Sequence, residues 1–231
     1  EAECRTVEKE RLSHIKYGLE KQRFDYLSSS GILYRRLEIS LAGVVQPENA
    51  ALAVEIVEAL GRKGFSVSEK QLRSGLFQAK WPYRFEIAAK RPVFILDGAH
   101  NEDAAKRLAE GIRFYFTNKK ILYIIGMLKD KEYEKVIAQT YAYAEQIITV
   151  TPQGQPRALP CHELALTALE YHPRVTEAAS LEEAVEMAYL LAEKDWVILA
   201  FGSLSYLGAL GRIIKDRSEK HDRSGKSKRG R

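Results

Sequence analysis

The 231 residues are 45% hydrophobic and 29% charged, a balance that suits a globular chain and excludes a disordered or fibrous one. The formal charge of +5 sits at the end of the chain, where Arg212–Arg231 holds nine Lys/Arg against three Asp/Glu and leaves 27 basic and 28 acidic residues elsewhere. A near-neutral body gives no footing for nucleic acid, no apolar stretch reaches the ~18 residues of a membrane span, and Cys4 and Cys161, each without a nearby Cys, suggest neither a zinc motif nor a disulfide framework.

The chain opens on Glu-Ala-Glu-Cys-Arg, with no initiator Met and no signal pattern, and is expected to be a piece of something longer in a reduced, cytoplasmic setting. Glu1 to Leu19 is charged and weakly periodic and predicts an irregular start with at most a short helix. Arg23–Leu27 and Ile32–Leu41 carry aromatic and β-branched residues around Ser28-Ser29-Ser30-Gly31, a β-hairpin pattern. Pro47 suits a first helical position, and Ala50, Ala53, Val54, Val57 and Leu60 follow at helical spacing, with Gly61 and Gly64 as the stop. Ser68 can cap a short helix over Glu69–Phe77. Trp81 to Glu86 predicts an extended connector, because a residue before proline is driven out of the helical region, and a domain boundary is expected near Ala88 to Pro92.

Regular alternation begins at Val93. Strands are predicted at Val93–Leu96, Ile121–Ile125, Gln146–Val150 and Trp196–Phe201, with a short one headed by Val175. Helices fall between them: after Asn101, from Tyr133 to Ala144, from Cys161 to Glu170, after Ser180 with its capping-box Glu183, and from Leu204 to Lys215. Apolar strands without alternation are buried on both faces, so the second half is read as an α/β, Rossmann-like domain with a mostly parallel sheet. The basic end reads as a solvated, disordered tail.

Candidate chemistry gathers where strands give way to helices, since ligands of open parallel sheets bind outside the carboxyl ends of the strands. Asp97-Gly98-Ala99-His100-Asn101 places a carboxylate and an imidazole there. The carboxylate can accept from ribose hydroxyls or an amine, and His100 can donate, accept or shuttle a proton. Asn101 as a helix cap and Asp97 as a turn closure would account for the same residues without a ligand. Glu102 and Asp103 make the following helix start a poor phosphate cradle. Gly202-Ser203 and Gly126 to Lys131 should project from the same edge; on spacing alone the first reads more readily as a small-residue strand-to-helix turn, and the second is equally readable as a solvated loop. Gly225-Lys226-Ser227 lacks the earlier glycine and the strand of a P-loop. No Gly-x-Gly-x-x-Gly, no Gly-x-Ser-x-Gly and no paired histidine spacing for a metal occur.

Five ordered motifs resemble one family. Gly43-Val44-Val45-Gln46-Pro47-Glu48-Asn49-Ala50-Ala51, Trp81-Pro82-Tyr83-Arg84-Phe85-Glu86, Leu96-Asp97-Gly98-Ala99-His100-Asn101, Gly126-Met127-Leu128-Lys129-Asp130-Lys131 and Phe201-Gly202-Ser203-Leu204 are similar to the folylpolyglutamate synthase/dihydrofolate synthase family of Mur-type ligases. The family pattern has His where Val45 stands and Gly where Tyr83 stands. The resemblance implies an N-terminal P-loop ATPase domain, a Rossmann-like C-terminal domain and an active site between them. It implies amide formation, in which ATP phosphorylates a folate or pteroate carboxylate and the amine of L-glutamate attacks the acyl phosphate.

By that resemblance, Asn49, Arg84 and Asp97 match nucleotide-binding positions, and His100 and Ser203 lie near the incoming glutamate, His100 with a catalytic part. ATP and Mg²⁺ are the implied cofactors; the P-loop, the Mg²⁺ ligands and a modified lysine are expected upstream, and none of the residues here is taken as a metal ligand. Residues 1–89 would be the tail of the ATPase domain with a linker, 90–216 the C-terminal domain and 217–231 the tail. L-glutamate, folate or dihydropteroate and ATP are the expected partners of a cytoplasmic monomer that binds neither nucleic acid nor membrane, and this chain alone is expected to be inactive. A non-catalytic nucleotide- or metabolite-binding Rossmann module, another Mur-type ligase and a nucleic-acid binder resting on the tail are the alternatives.

Overall fold

The structure, a computed structural model, describes residues 6–227. The chain divides into two compact units, Glu1–Pro82 and Tyr83–Arg231.

In the first unit, strands β1 (Leu12–Lys16), β2 (Gln22–Leu27) and β3 (Leu33–Ile39) form an antiparallel sheet in that order, followed by α1 (Gln46–Gly61) and α2 (Glu69–Gln78). The expected hairpin is β2–β3, in which Tyr26 stands opposite Tyr34 and the Gly31 N–H closes the tip on the Ser28 carbonyl at 3.0 Å. Strand β1 replaces the irregular start. Only Leu12 and Ile15 of it pack on the core, so it carries no alternation strong enough to read, and its shape comes from pairing with β2. Helix α2 starts at Ser68 through a reciprocal capping box with Gln71. Phe24, Tyr26, Leu37, Ile39 and Val54 fill the core between the sheet and α1.

The second unit is built on β4 (Glu86–Lys90), β5 (Val93–Asp97), β6 (Ile121–Gly126), β7 (Gln146–Thr149), β8 (Val175–Glu177) and β9 (Val197–Gly202), in the order β4-β5-β9-β6-β7-β8. All neighbours run parallel except β4, which is antiparallel to β5. Helices α3 (Glu102–Tyr115), α4 (Tyr133–Thr140) and α5 (Cys161–Leu169) connect β5, β6, β7 and β8 as the chain steps outward. It then returns through α6 (Leu181–Leu191) to insert β9 between β5 and β6, and leaves along α7 (Leu204–Ser227). Right-handed crossovers made in opposite directions put their helices on opposite faces. Accordingly α6 and α7 pack with Leu96, Ile124 and Ile198 in one core, while on the other face the Tyr123 hydroxyl donates to the Thr140 carbonyl of α4 at 3.0 Å. Every residue of β6 and β9 is buried, as their unbroken apolar runs require.

Two helix ends differ from those the sequence predicts, and Glu86–Lys90, which lies within the predicted connector and boundary region, is an edge strand of the second sheet. Helix α4 ends at Thr140 and passes into a single 3-10 turn at Tyr141–Tyr143; the Thr140 hydroxyl bonds back to the Val136 carbonyl at 2.8 Å, a contact that loosens a helix end. Helix α7 continues beyond Lys215 to Ser227, steadied where Arg217 pairs with Glu186 and lies over the Tyr189 ring at 4.4 Å. The expected disordered tail therefore begins inside a helix, and its residues 228–231, like Cys4, lie outside the described residues. No helix among the described residues is long and apolar enough to cross a membrane.

Candidate functional site

Parallel pairing sets the carboxyl ends of β5, β9 and β6 side by side, with Asp97 opposite Phe201 and Gly126 opposite Gly202. These strands straddle the place where the winding reverses, which in such sheets opens a crevice. Side chains of α7 press against the glycines at these strand ends. A Cβ on Gly98 would stand 2.6 Å from Leu204 Cδ2, and one on Gly126 would stand 2.9 Å from the Tyr206 ring. The Tyr206 ring is rigid, whereas Leu204 Cδ2 is the flexible end of its side chain, so a side chain is harder to place at Gly126 than at Gly98.

Asp97 is the last residue of β5. Its Oδ1 accepts the Ala99 N–H and its Oδ2 the Phe85 N–H, both at 2.9 Å. The turn is tied to the preceding loop again where the Gly98 N–H donates to the Tyr83 carbonyl at 2.7 Å. Burial pushes the Asp97 carboxyl up from 3.8 to about 6, against the pull of the Phe85 and Ala99 amides and of nearby Arg84 and His100. An anion with two of its acceptor positions filled still has lone pairs to offer a ligand hydroxyl.

His100 Nδ1 lies 2.7 Å from the Gly98 carbonyl oxygen. A carbonyl only accepts, so the proton is on Nδ1, and in the neutral ring Nε2 is left with its lone pair. Asn101 caps α3, its Oδ1 accepting the Ala104 N–H at 2.9 Å, and the first turn of α3 is occupied by the Glu102–Lys106 pair at 2.7 Å. That helix start is committed to its own caps and charges, as its acidic sequence predicts.

Ser203, only 5% exposed, caps α7: its Oγ accepts the Ser205 N–H at 3.3 Å and pairs with Ser205 Oγ at 2.8 Å, while its N–H donates to the Gly126 carbonyl at 2.9 Å. The Gly126–Lys131 loop is held by a second segment, with the Leu159 N–H on the Met127 carbonyl at 2.9 Å and Arg157 paired with Asp130 at 2.7 Å.

Arg84 is exposed in the loop before β4. That connector is not extended, as Pro82 predicts, but turns on itself. The second unit thus brings Arg84, Asp97, His100 and Ser203 to one sheet edge. Asn49 belongs to the first unit, in the opening turn of α1, where its Nδ2 donates to Gln46 Oε1 at 3.1 Å. Tyr83, Phe85 and Glu86 stand in the motif that contains Arg84, but their part in shaping the loop is not legible there, because Tyr83 and Phe85 take distant partners in Gly98 and Asp97 and Pro82 points to an extended connector. No three His, Cys, Asp or Glu among the described residues gather as metal ligands.

Residues 83–204 match the family described as Mur ligase, glutamate ligase domain. Among characterised proteins, the chain is 38% identical over 115 residues to the dihydrofolate synthase/folylpolyglutamate synthase of Bacillus subtilis, covering 49% of this chain and 27% of that protein. It is 32% identical over 177 residues to the Escherichia coli protein of the same description, covering 75% and 39%. Among solved structures, Mycobacterium tuberculosis folylpolyglutamate synthase complexed with ADP superposes with a TM-score of 0.79 at 25% identity, covering 88% of this chain and 47% of that one. The Thermotoga maritima folylpolyglutamate synthase gives 0.73 at 29% identity, covering 90% and 47%. The chain spans less than half the length of these relatives.

Proposed function

Since the chain belongs to the folylpolyglutamate synthase/dihydrofolate synthase family of Mur ligases and carries its glutamate ligase domain, we propose that it works as part of an ATP-dependent ligase that joins L-glutamate to a folate or dihydropteroate carboxylate. The observation that carries this reading is that the matched region, 83–204, contains Arg84, Asp97, His100 and Ser203, four residues that the fold gathers at one sheet edge. ATP, with Mg²⁺, supplies the phosphoryl group that activates the carboxylate. The fit of this edge to a nucleotide rests on the exposed residue Arg84 beside a carboxylate that keeps acceptor capacity, with glycines at the adjoining strand ends.

In this reading Arg84 binds phosphate oxygens with a planar, permanently charged fork, and Asp97 takes a ribose hydroxyl. Asn49, in the first unit, keeps the nucleotide-binding role that the resemblance implies for that unit by itself. His100, with its proton held on Nδ1 by Gly98, presents Nε2 as an acceptor that orients the glutamate ammonium group and receives a proton as the amine becomes nucleophilic. Ser203 stands at the glutamate side of the same edge. The cytoplasmic setting and monomeric state expected from the sequence travel with this proposal.

The test is glutamate incorporation. The purified chain alone is expected to add no L-glutamate to a folate acceptor with ATP. Joined to the residues that precede the matched region in the B. subtilis relative, it is expected to do so. Incorporation by the joined protein that survives Arg84→Ala and His100→Ala together would overturn the assignment.

A further inference from the structure

Arg84 sits between two residues in the left-handed backbone region, Tyr83 at φ +61° and Phe85 at φ +52°. Neither is glycine, and for an L-residue this conformation is disfavoured because Cβ crowds the following carbonyl oxygen. Two such residues around one arginine persist only where the surroundings over-determine them. Here each left-handed residue gives its N–H to a carboxylate: Tyr83 to Glu86 Oε2 at 2.8 Å, and Phe85 to Asp97 Oδ2 at 2.9 Å.

The two rings are anchored on opposite sides of the sheet. Phe85 is buried and stacks on Phe116 at 5.9 Å, close enough to α3 that a Cβ on Gly111 would lie 3.0 Å from its ring. Tyr83 packs against the core beneath α7, its hydroxyl 3.3 Å from where a Cβ on Gly208 would be. The Gly98 N–H on the Tyr83 carbonyl, at 2.7 Å, closes the arrangement. The backbone under Arg84 is therefore pinned on both flanks, while its long side chain reaches solvent.

Building on the proposed nucleotide role of Arg84, we infer that Glu86 and Asp97 are positioning residues that fix the Arg84 backbone, so that Asp97 serves phosphate binding through Arg84 in addition to any contact with the ribose. An arginine side chain has many rotamers to lose, and a rigid base limits how much more must be lost when the guanidinium meets phosphate. In this view the two carboxylates repel a phosphate directly yet improve its binding, because each is already engaged with a backbone N–H.

The test separates phosphate from ribose by using inorganic tripolyphosphate and ATP as parallel probes on this chain, by calorimetric titration, with amide hydrogen exchange at Tyr83 and Phe85 as a second readout. Asp97→Asn, which leaves one acceptor oxygen for the two N–H groups of Phe85 and Ala99, and Glu86→Ala are expected to weaken tripolyphosphate binding roughly tenfold, about 1.4 kcal/mol, and to speed exchange at Phe85 and Tyr83 respectively. Glu86→Gln, which retains a carbonyl acceptor, is expected to restore most of the Glu86→Ala loss. In an Arg84→Ala background neither change should weaken binding further. If Asp97→Asn weakens ATP but leaves tripolyphosphate untouched, or if its effect multiplies with that of Arg84→Ala, the positioning role is overturned and the nucleotide reading stands. Glu86 is exposed, so Glu86→Ala keeps the test open should Asp97→Asn fail to fold. An unaltered chain that binds neither probe removes the nucleotide reading, and this inference with it.

Discussion

Gly126 and Gly202 face each other at the carboxyl ends of β6 and β9, so closely that a Cβ on Gly202 would lie 2.3 Å from the Gly126 carbonyl oxygen. Gly202 also has φ +122°, a backbone conformation closed to side chains. This contact lets the chain leave β9, reverse, and present Ser203 at the edge that holds Asp97. Gly202→Ala is therefore expected to cost roughly 3 kcal/mol, read as a lowered urea midpoint. A variant as stable as the parent would mean that the strand end relaxes freely.

Asp97 makes a pH-dependent contribution whose sign opposes that of most carboxylates. Its folded value, about 6, lies above the ordinary 3.8, so between these values the folded chain holds more proton than the unfolded one. The associated stability is fully present below about pH 4 and is lost as pH rises through about 6. Unfolding of the parent and of Asp97→Asn across pH 4 to 7 is expected to show the difference shifting toward the variant, by at most about 3 kcal/mol. A shift in the other direction would contradict burial as the dominant influence on this group.

The His100–Gly98 contact of 2.7 Å fixes a tautomer. Long-range ¹H–¹⁵N correlation of the neutral ring is expected to show Nδ1 protonated and Nε2 bare. Protonation on Nε2 would remove the acceptor assigned to the glutamate amine. His100→Asn or His100→Gln retains an N–H donor for the Gly98 carbonyl but supplies no basic nitrogen, so it is not expected to restore the acceptor.

Glu55 supports the first unit independently of any ligand. It is 2% exposed and accepts the Tyr26 hydroxyl at 2.8 Å and the Ser29 N–H at 2.6 Å, tying the tip of the β2–β3 hairpin to α1. Glu55→Ala is expected to cost the first unit roughly 2–3 kcal/mol. Amide exchange should rise across β2 and β3 and stay unchanged in β6 and β9. Uniform loosening of both units would show that they do not open independently.

Tyr206 is buried, and its hydroxyl donates to the Phe201 carbonyl at 2.7 Å. Tyr206→Phe keeps the shape and removes one donor, and is expected to cost about 1 kcal/mol, measured by thermal unfolding. No change would mean that the Phe201 carbonyl is satisfied by its strand neighbours alone.

The legible parts of the fold are those in which local sequence and tertiary burial demand the same thing. Ile121 to Ile125 has no alternation because both its faces are covered, and Ser68 and Ser180 cap the helices whose starts they mark. Strand β4 was hidden because Glu-Ile-Ala-Ala-Lys has a half-buried edge pattern and its partner β5 follows immediately. The end of α7 was hidden because Arg217 gains its footing from Glu186 and Tyr189 of α6, far away in sequence. The candidate site divides in the same way. Asp97, His100 and Ser203 announce themselves at strand ends, whereas the turn around Arg84 depends on Asp97, Gly111 and Gly208, which no local pattern near Arg84 contains.

Strand β9 is the last to be synthesised and stands between the first two parallel strands. Until Val197–Gly202 has left the ribosome, the facing edges of β5 and β6 have no partner, and two apolar strands wait with open hydrogen-bonding groups. Growth of the nascent chain cannot build this edge step by step. The Asp97 turn and Ser203 come together only with this late insertion, so a chain interrupted before Gly202 lacks Ser203 and leaves open strand edges that can pair with a neighbour.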